Sequence, residues 1–488
     1  GTGGDGGMGG MGEGGTGGGG GMGEGGGGGA TPAPVTASAT PSCAGGSAQC
    51  NEVDNVVFDS AMLEVALEAT PADATIWYTT DGNLVLVEGA GGAGGAGLVI
   101  SESAQEYDGT PLSLSENTVL RFAAEGADGA LSEESLEGYV KAVGTTQEQW
   151  AVSGHGAITE EHWRHWDEDG DVQTSCAKCH SAGGFLDYLE DGSVDAAAAL
   201  PAGLSCNACH EGNAFPNIYE ADSPLFETYP ELEPVTFPSG DLATFDNASN
   251  LCMTCHQGRH STVSVNEEID ECSNVGGCDE DCTPMDGAGG AGGASGCDGL
   301  GFINIHYYAA AATLFGTDVR GAYEYDGETH AGQNTYAGSP HPGAGLDDCL
   351  GCHMRRSPPD TPNHVFLPEV SACSGCHGGG PEFKDLGAGV SDDYDDIQSL
   401  LAALLTALED YTETTLGSAV VYNPARYPYW FDSEGNRYSF DAPSLKGAYN
   451  YQTGLKDPGN YIHNATYTKQ FLIDSIEDLG GTASVTRP

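Results

Sequence analysis

The strongest constraint on this chain is a five-residue pattern that occurs five times: a cysteine, two variable residues, a second cysteine and a histidine. The copies lie at 176–180, 206–210, 252–256, 349–353 and 373–377. With 16 cysteines and 14 histidines among 488 residues, chance alone predicts far fewer than one copy. The pattern is typical of c-type haem attachment, in which two thiols bond the porphyrin and the adjacent histidine binds the iron.

The pattern therefore predicts five covalently attached haem c groups. The ten predicted attachment residues are Cys176, Cys179, Cys206, Cys209, Cys252, Cys255, Cys349, Cys352, Cys373 and Cys376. The five predicted proximal ligands are His180, His210, His256, His353 and His377. Structural zinc is the alternative interpretation. A closed zinc site needs a second ligand pair for each Cys-x-x-Cys and gives no reason for a histidine after every pair.

Six cysteines remain, and an even number in an exported protein predicts up to three disulfides. They are Cys43, Cys50, Cys272, Cys278, Cys282 and Cys297. We expect Cys43 and Cys50 to pair across a short loop. The other four share one glycine-rich stretch, where two bridges have three possible connectivities. A metal site made of these four thiolates is the alternative.

The charge of the chain constrains its partners. Acidic residues outnumber basic ones by 72 to 15, which gives a formal net charge of −57. This excess argues against binding to nucleic acid, which requires a basic surface, and against electrostatic binding to anionic lipid. Partners that dock by complementary charge should be basic proteins or cationic mineral surfaces.

Covalent haem attachment takes place outside the bacterial cytoplasm, so the motifs predict an exported protein. No run of 18 apolar residues occurs, and we therefore expect no transmembrane segment. The predicted location is extracellular or at the cell surface rather than periplasmic. The acidic run at 167–171 could offer carboxylates to calcium, but it lacks the EF-hand pattern, and a solvated acidic turn is favoured.

Composition divides the chain into three regions. Residues 1–51 hold a glycine-rich tail followed by a Thr/Pro/Ser linker. Residues 52–144 contain alternating β-branched and aromatic stretches at 56–58, 62–67, 75–79 and 119–122, which predict a small β-sandwich. Residues 145–488 contain all five motifs. Helical periodicity is clear there at 397–409 and at 467–479, with Gly480 and Gly481 as the predicted C-cap.

Two of these regions resemble known families. The segments 71–82 and 118–124 resemble the C-terminal immunoglobulin-like domain of chitobiase and β-hexosaminidase, which implies an accessory β-sandwich. Residues 145–488 resemble multihaem c-type cytochromes of bacteria that respire metals or export electrons. The matching pieces are 150–155, 252–259, 306–316, 363–368 and 461–464. The resemblance implies a multihaem cytochrome c domain, mostly coil with a few short helices organised around five haems.

Nine histidines remain for five distal positions, so the supply allows every iron to have two histidine ligands. The methionines lie in the tail, the β module, the cysteine-rich loop or the motifs themselves, which disfavours His/Met ligation. In proteins of the resembled group, histidines in the settings found here typically act as distal ligands. The predicted distal ligands are His155, His306, His341, His364 and His463, with His165 and then His260 as reserves.

These observations predict a pentahaem electron carrier rather than an enzyme, because six-coordinate irons leave no open site for a substrate. Its predicted partners are other redox proteins or mineral acceptors, and the glycine-rich tail suggests self-association into a conducting filament. A multihaem reductase of nitrogen or sulfur oxyanions is the first alternative. The pentahaem nitrite reductases carry a Cys-x-x-Cys-Lys motif, and none occurs here. A surface adhesion or carbohydrate-binding protein is the second.

Overall fold

The computed structural model describes residues 35–42, 55–58, 62–89, 98–141, 145–210, 234–245, 247–273, 299–325, 335–339, 348–355, 363–387 and 389–488. The predicted glycine-rich tail, Cys43, Cys50, Cys278, Cys282, Cys297 and His341 lie outside these residues. Within them, no helix is long and apolar enough to cross a membrane.

The first part of the chain forms a β module of two main sheets. Its ten strands are β1 Thr36–Ser42, β2 Asn55–Phe58, β3 Leu63–Thr70, β4 Thr75–Thr79, β5 Leu86–Glu88, β6 Leu98–Ile100, β7 Gln105–Glu106, β8 Leu112–Leu114, β9 Thr118–Glu125 and β10 Ser135–Lys141. One sheet has the order β1-β3-β8, the other has the order β2-β10-β9-β4-β7, and β5 pairs with β6. The strands predicted at 56–58, 62–67, 75–79 and 119–122 are confirmed, apart from Met62, which precedes β3.

The two main sheets share one apolar core. Alternate residues of β3, including Leu63 and Val65, point inwards and pack with Leu120 and Phe122 of β9. Burial of one such side chain stabilises the fold by roughly 1.5–3 kcal/mol. Residues 36–42 were predicted as linker, but they form β1 in antiparallel register with β3. The Thr/Pro/Ser composition concealed this strand, because its residues are small and partly exposed at a sheet edge.

The second part of the chain is mainly helical. Its helices are α1 Thr145–Ala151, α2 Glu161–Arg164, α3 Thr174–His180, α4 Ala182–Asp191, α5 Ser249–His256, α6 Thr262–Ser273, α7 Ala310–Phe315, α8 Cys349–His353, α9 Val370–His377, α10 Val390–Tyr411, α11 Ala442–Lys456, α12 Asn460–His463 and α13 Ala465–Asp478. Three two-stranded ribbons pair β11 Asp171–Val172 with β12 Ala198–Ala199, β13 Val235–Thr236 with β14 Leu242–Ala243, and β15 Val421–Tyr422 with β16 Trp430–Phe431. Short 3-10 segments lie at Cys206–Ala208, Gly316–Asp318 and Phe383–Asp385, and a π-helical turn at Thr412–Leu416.

The prediction of a domain that is mostly coil is wrong for residues 390–478. Helices α10, α11 and α13 pack against one another around a conventional side-chain core, to which α10 contributes Leu400, Leu404 and Leu408. These leucines recur every four residues and therefore lie on one face of the helix. Both predicted helices are confirmed, and α13 ends where Gly480 and Gly481 donate to the carbonyls of Glu477 and Ile476.

Helix α11 escaped prediction because it contains Pro443, Gly447 and Gly454. Asp441 caps its first turn by accepting from the Ser444 amide, and the proline occupies the first turn, where it removes no helical hydrogen bond. A Cβ atom at Gly454 would lie 2.9 Å from Leu401. The glycine therefore allows α11 to approach α10 closely.

The β module packs directly on the helical part. Val119 and Val140 of the module form an apolar cluster with Ala151, the last residue of α1, and with Ile158 in the segment that follows. The acidic run at 167–171 is predicted to be a solvated turn, but its first residue is buried. The Asp167 side chain is only 2% exposed and forms ion pairs with Arg121 of β9 and Arg164 of α2. This contact joins the two parts of the chain.

Candidate haem-binding sites

Local helical geometry explains how each attachment segment presents its ligands. Helices α3, α5, α8 and α9 each end at the histidine of a motif, and the 206–210 motif forms a 3-10 turn. In a helix, the residues three and four positions after the first cysteine lie on the same face of the helix as that cysteine. The second cysteine and the histidine therefore point to the same side as the first cysteine, as a shared haem requires.

Four of the five predicted proximal histidines face a second histidine from a distant part of the chain. The distances between ring centroids are 6.2 Å for His155 and His256, 5.8 Å for His306 and His180, 6.3 Å for His364 and His210, and 6.2 Å for His463 and His353. Each second histidine is one of the predicted distal ligands, and each faces a different motif.

The spacing of these rings fits a metal between them. Two imidazoles that bind one metal from opposite sides, each with its nitrogen roughly 2 Å from the metal, hold their ring centroids about 6 Å apart. All four pairs have this separation. Direct stacking would bring the rings closer, and a hydrogen bond between them would use the nitrogens that a metal needs. The four pairs therefore suit axial ligands of haem iron.

Backbone carbonyls orient three of the proximal histidines. The Nδ1 atom of His180 lies 2.8 Å from the carbonyl oxygen of His162. The Nδ1 atom of His256 lies 2.9 Å from the carbonyl oxygen of Tyr308, and that of His353 lies 2.7 Å from the carbonyl oxygen of Phe366. A carbonyl oxygen can only accept, so Nδ1 carries the proton and donates. The Nε2 lone pair is then available to a metal, which is the usual arrangement of a ligating histidine.

Two of these three carbonyls, those of Tyr308 and Phe366, belong to residues in a rare backbone conformation. Tyr308 has φ 54° and Phe366 has φ 60°, and the distal candidate His306 has φ 82°. Non-glycine residues with positive φ are uncommon and cluster at functional sites, where the surrounding structure holds them. The loops at 306–308 and 363–367 thus use locally strained backbone to place one predicted ligand, His306, and two carbonyls that accept from motif histidines.

Burial favours the neutral form of six of the eight paired histidines. It lowers the pKa of His155, His180 and His306 to about 4, and it also lowers the pKa of His256, His210 and His353. In His463 burial has the same tendency, but the charge and hydrogen bond of Asp457 outweigh it and raise the pKa. A neutral imidazole is the form that binds a metal.

The remaining predicted residues have different positions. His165 has a 63% exposed side chain and pairs with Glu161, and His260 lies after α5 without a histidine ring opposite it in the described residues. His377 ends α9, and its buried Nδ1 has no hydrogen-bond partner in the part of the chain that the structure describes. Cys272 lies in α6 and is not bonded to another described cysteine.

The attachment segments lie next to one another. Cys179 of α3 lies next to Cys255 of α5, and Cys252 of α5 lies next to Cys349 of α8. The ring of Phe366 lies 4.7 Å from that of His155 and 5.8 Å from that of His364, and so links two histidine pairs. Helix α5, which carries the third motif, is thus adjacent to the first and fourth motifs. Its pair, His155 and His256, contacts through Phe366 the pair of the second motif, His210 and His364.

Calcium has no site among the described residues, where no group of three or more His, Cys, Asp or Glu side chains could hold a metal ion. The carboxylate of Asp167 faces Arg121 and Arg164 instead. Burial raises the pKa of Asp167, although both arginines lower it. No local pattern in the sequence indicates this cluster, because Arg121 lies 46 residues before Asp167 and meets it only in the folded chain.

Comparison with known proteins supports the haem interpretation. The chain is 25% identical over 379 residues to the C-type polyheme cytochrome OmcB of two strains of Geobacter sulfurreducens, a match that covers 64% of this chain and 45% of OmcB. It is also 25% identical over 391 residues to the C-type polyheme cytochrome OmcC, covering 67% of this chain and 45% of OmcC. No protein-family model matches the chain, and no solved structure does. The similarity supports a multihaem c-type cytochrome with covalently bound haem c.

Proposed function

We propose that this chain is an exported pentahaem electron-transfer cytochrome whose haems each have two histidine ligands. The observation that carries the proposal is the set of four histidine pairs, each with one motif histidine and one distant histidine about 6 Å away. When bound, each haem supplies a one-electron couple between ferric and ferrous iron.

Each attachment segment has its own proposed axial pair. The pairs are His180 with His306, His210 with His364, His256 with His155, and His353 with His463. For the motif that ends at His377, the distal ligand we propose is His341, the one predicted distal residue outside the described part of the chain. The five haems would then all be six-coordinate.

Saturated axial positions favour an electron carrier over a reductase. An enzyme that reduces nitrite or a similar oxyanion needs an iron with a position open to substrate. In each of the four described pairs a second imidazole faces the motif histidine, and with haem bound its ring would fill that position. We therefore expect the purified holoprotein to leave nitrite, hydroxylamine and tetrathionate unchanged in the presence of a reductant.

The arrangement of the attachment segments suits transfer over a distance. Helix α5 is adjacent to α3 through Cys255 and Cys179, and to α8 through Cys252 and Cys349. The amide of Leu350 also donates to the Ser249 side chain at 3.2 Å, which fixes α8 against α5. We propose that α5 is the junction of the set. Self-association into a filament stays a prediction, since the glycine-rich tail lies outside the described residues.

The ring geometry predicts two classes of electron paramagnetic resonance signal. The two ring planes are inclined by 29° in the pair that contains His210 and by 33° in the pair that contains His353. They are inclined by 72° in the pair of His256 and by 78° in the pair of His180. Near-perpendicular imidazoles bring two iron d orbitals close in energy and raise the largest g value, whereas near-parallel ones give rhombic spectra. We expect both low-spin classes in the oxidised holoprotein, each with at least two haems.

The same samples test the proposed function. A pyridine haemochrome assay should give five haems per chain, and the fully reduced protein should deliver five electrons to a one-electron acceptor. A stoichiometric high-spin ferric signal in the native protein would contradict complete bis-histidine ligation. Zinc in place of haem would contradict the proposal as a whole.

Docking to a basic redox partner should depend steeply on salt. The chain has a net charge of −57 before the haem propionates are counted, and complementary charge accelerates association. The screening length falls from about 10 Å at 0.1 M salt to about 3 Å at 1 M. We therefore expect stopped-flow electron transfer to a basic cytochrome to slow by at least tenfold over this range. Transfer to an acidic acceptor of similar potential is the control, and equal salt dependence for both would contradict charge-directed docking.

A further inference from the structure

The Nδ1 atom of His463 has a different kind of partner from that of His180, His256 and His353. The Nδ1 atom of His463 lies 2.9 Å and 2.8 Å from the two carboxylate oxygens of Asp457. The corresponding atoms of His180, His256 and His353 donate to backbone carbonyls. A carboxylate carries a full negative charge, whereas a carbonyl is a neutral dipole, so the two partners act differently on the electronic character of the ring.

The fold holds this carboxylate firmly against the ring. Asp457 lies between α11 and α12 and is 1% exposed. Its side chain also accepts from the Gly459 amide at 3.0 Å. A Cβ atom at Gly459 would lie 2.7 Å from the His463 ring, so glycine leaves the space that the ring occupies. The ring is thus confined between the backbone and the carboxylate.

On this basis, which rests on the proposed axial role of His463, we infer that Asp457 lowers the reduction potential of the haem attached at Cys349 and Cys352. A carboxylate that accepts from Nδ1 makes the imidazole a stronger donor, and a stronger donor favours the ferric state. The buried negative charge acts in the same direction, because the oxidised iron porphyrin carries one more positive charge and little water lies between them. Asp457 is therefore a positioning residue that also tunes the site.

The test is a spectroelectrochemical titration of the holoprotein with the Asp457→Asn substitution. Asparagine is nearly isosteric and its carbonyl oxygen can still accept from Nδ1, so the substitution removes the charge and keeps the hydrogen bond. We expect one of the five midpoint potentials to shift upward while the other four change little. The matched control is Asp441→Asn, a buried aspartate that caps α11 and bonds Ser444 and Tyr411. A titration of Asp457→Asn that superimposes on the wild type, or an equal shift in Asp441→Asn, would overturn the inference.

A second measurement needs no substitution at position 457. Near-infrared magnetic circular dichroism reports the donor strength of axial histidines. In the oxidised wild-type protein, one haem should show a band that differs from those of the other haems, because one of its two histidines has more imidazolate character. Five identical neutral bis-histidine bands would refute the inference even if Asp457→Asn failed to fold. The His463→Ala variant tests the proposed ligand role of His463 separately from the role of Asp457. If one haem becomes high spin in this variant, His463 is a ligand, and a negative result for Asp457 then bears only on the tuning of the haem potential.

Discussion

In the His155→Ala variant, one of the five haems is expected to become high spin while the other four remain low spin. The ring centroids of His155 and His256 lie 6.2 Å apart. In the proposed arrangement, removal of His155 would leave the iron at Cys252 and Cys255 with one protein ligand, and a weak-field water or an empty position would not keep ferric iron low spin. The measurement is electron paramagnetic resonance of the oxidised holoprotein, integrated against the haem content.

The effect should extend beyond one iron, because α5 is the proposed junction of the attachment segments. We expect electrons to redistribute among the remaining haems more slowly after a laser-induced reduction of the variant than in the wild type. His165→Ala is the matched control. That side chain is exposed and pairs with Glu161, so the variant should keep five low-spin haems. If His165→Ala produced the high-spin signal and His155→Ala did not, the pairing proposed for His256 would be wrong.

Asp167→Ala is expected to destabilise the protein by about 3–5 kcal/mol, the usual effect of removing one partner from a buried ion pair. The substitution leaves Arg121 and Arg164 buried near each other without the carboxylate that lies between them. Arg121 retains Glu134 at 2.6 Å, and Arg164 retains the Ala202 carbonyl at 2.8 Å, so the loss falls on the contact between the β module and the helical part.

Urea unfolding followed by circular dichroism measures this change, and limited proteolysis between residues 141 and 171 should accelerate in parallel. Asp169→Ala is the control from the same acidic run. Its side chain is exposed, and a surface substitution of this kind changes stability by about 0.5 kcal/mol or less. Equal unfolding midpoints for the two variants would show that the buried cluster contributes no more than the surface charge.

Local patterns in the sequence predicted a large part of this architecture. The motif spacing predicted the haem class and the proximal histidines, because cysteines three residues apart and a histidine one further share a helix face. Periodicity predicted α10 and α13, and alternation predicted β3, β4 and β9. Two elements were concealed. The small residues of β1 resembled a linker, and Pro443 and two glycines interrupted the pattern of α11.

By itself, the sequence determined which residues are predicted to attach haem, since the attachment pattern spans only five consecutive positions. Only the tertiary structure decided which histidine faces which motif, because His155 and His256 lie about 100 residues apart and meet through packing. It also decided what each Nδ1 atom bonds. A backbone carbonyl, such as that of Tyr308, has no side-chain signature, and the distance from Asp457 to His463 depends on how α11 and α12 are joined. Ligand identity is a local property of the chain, whereas ligand pairing and tuning depend on contacts that form only in the folded protein.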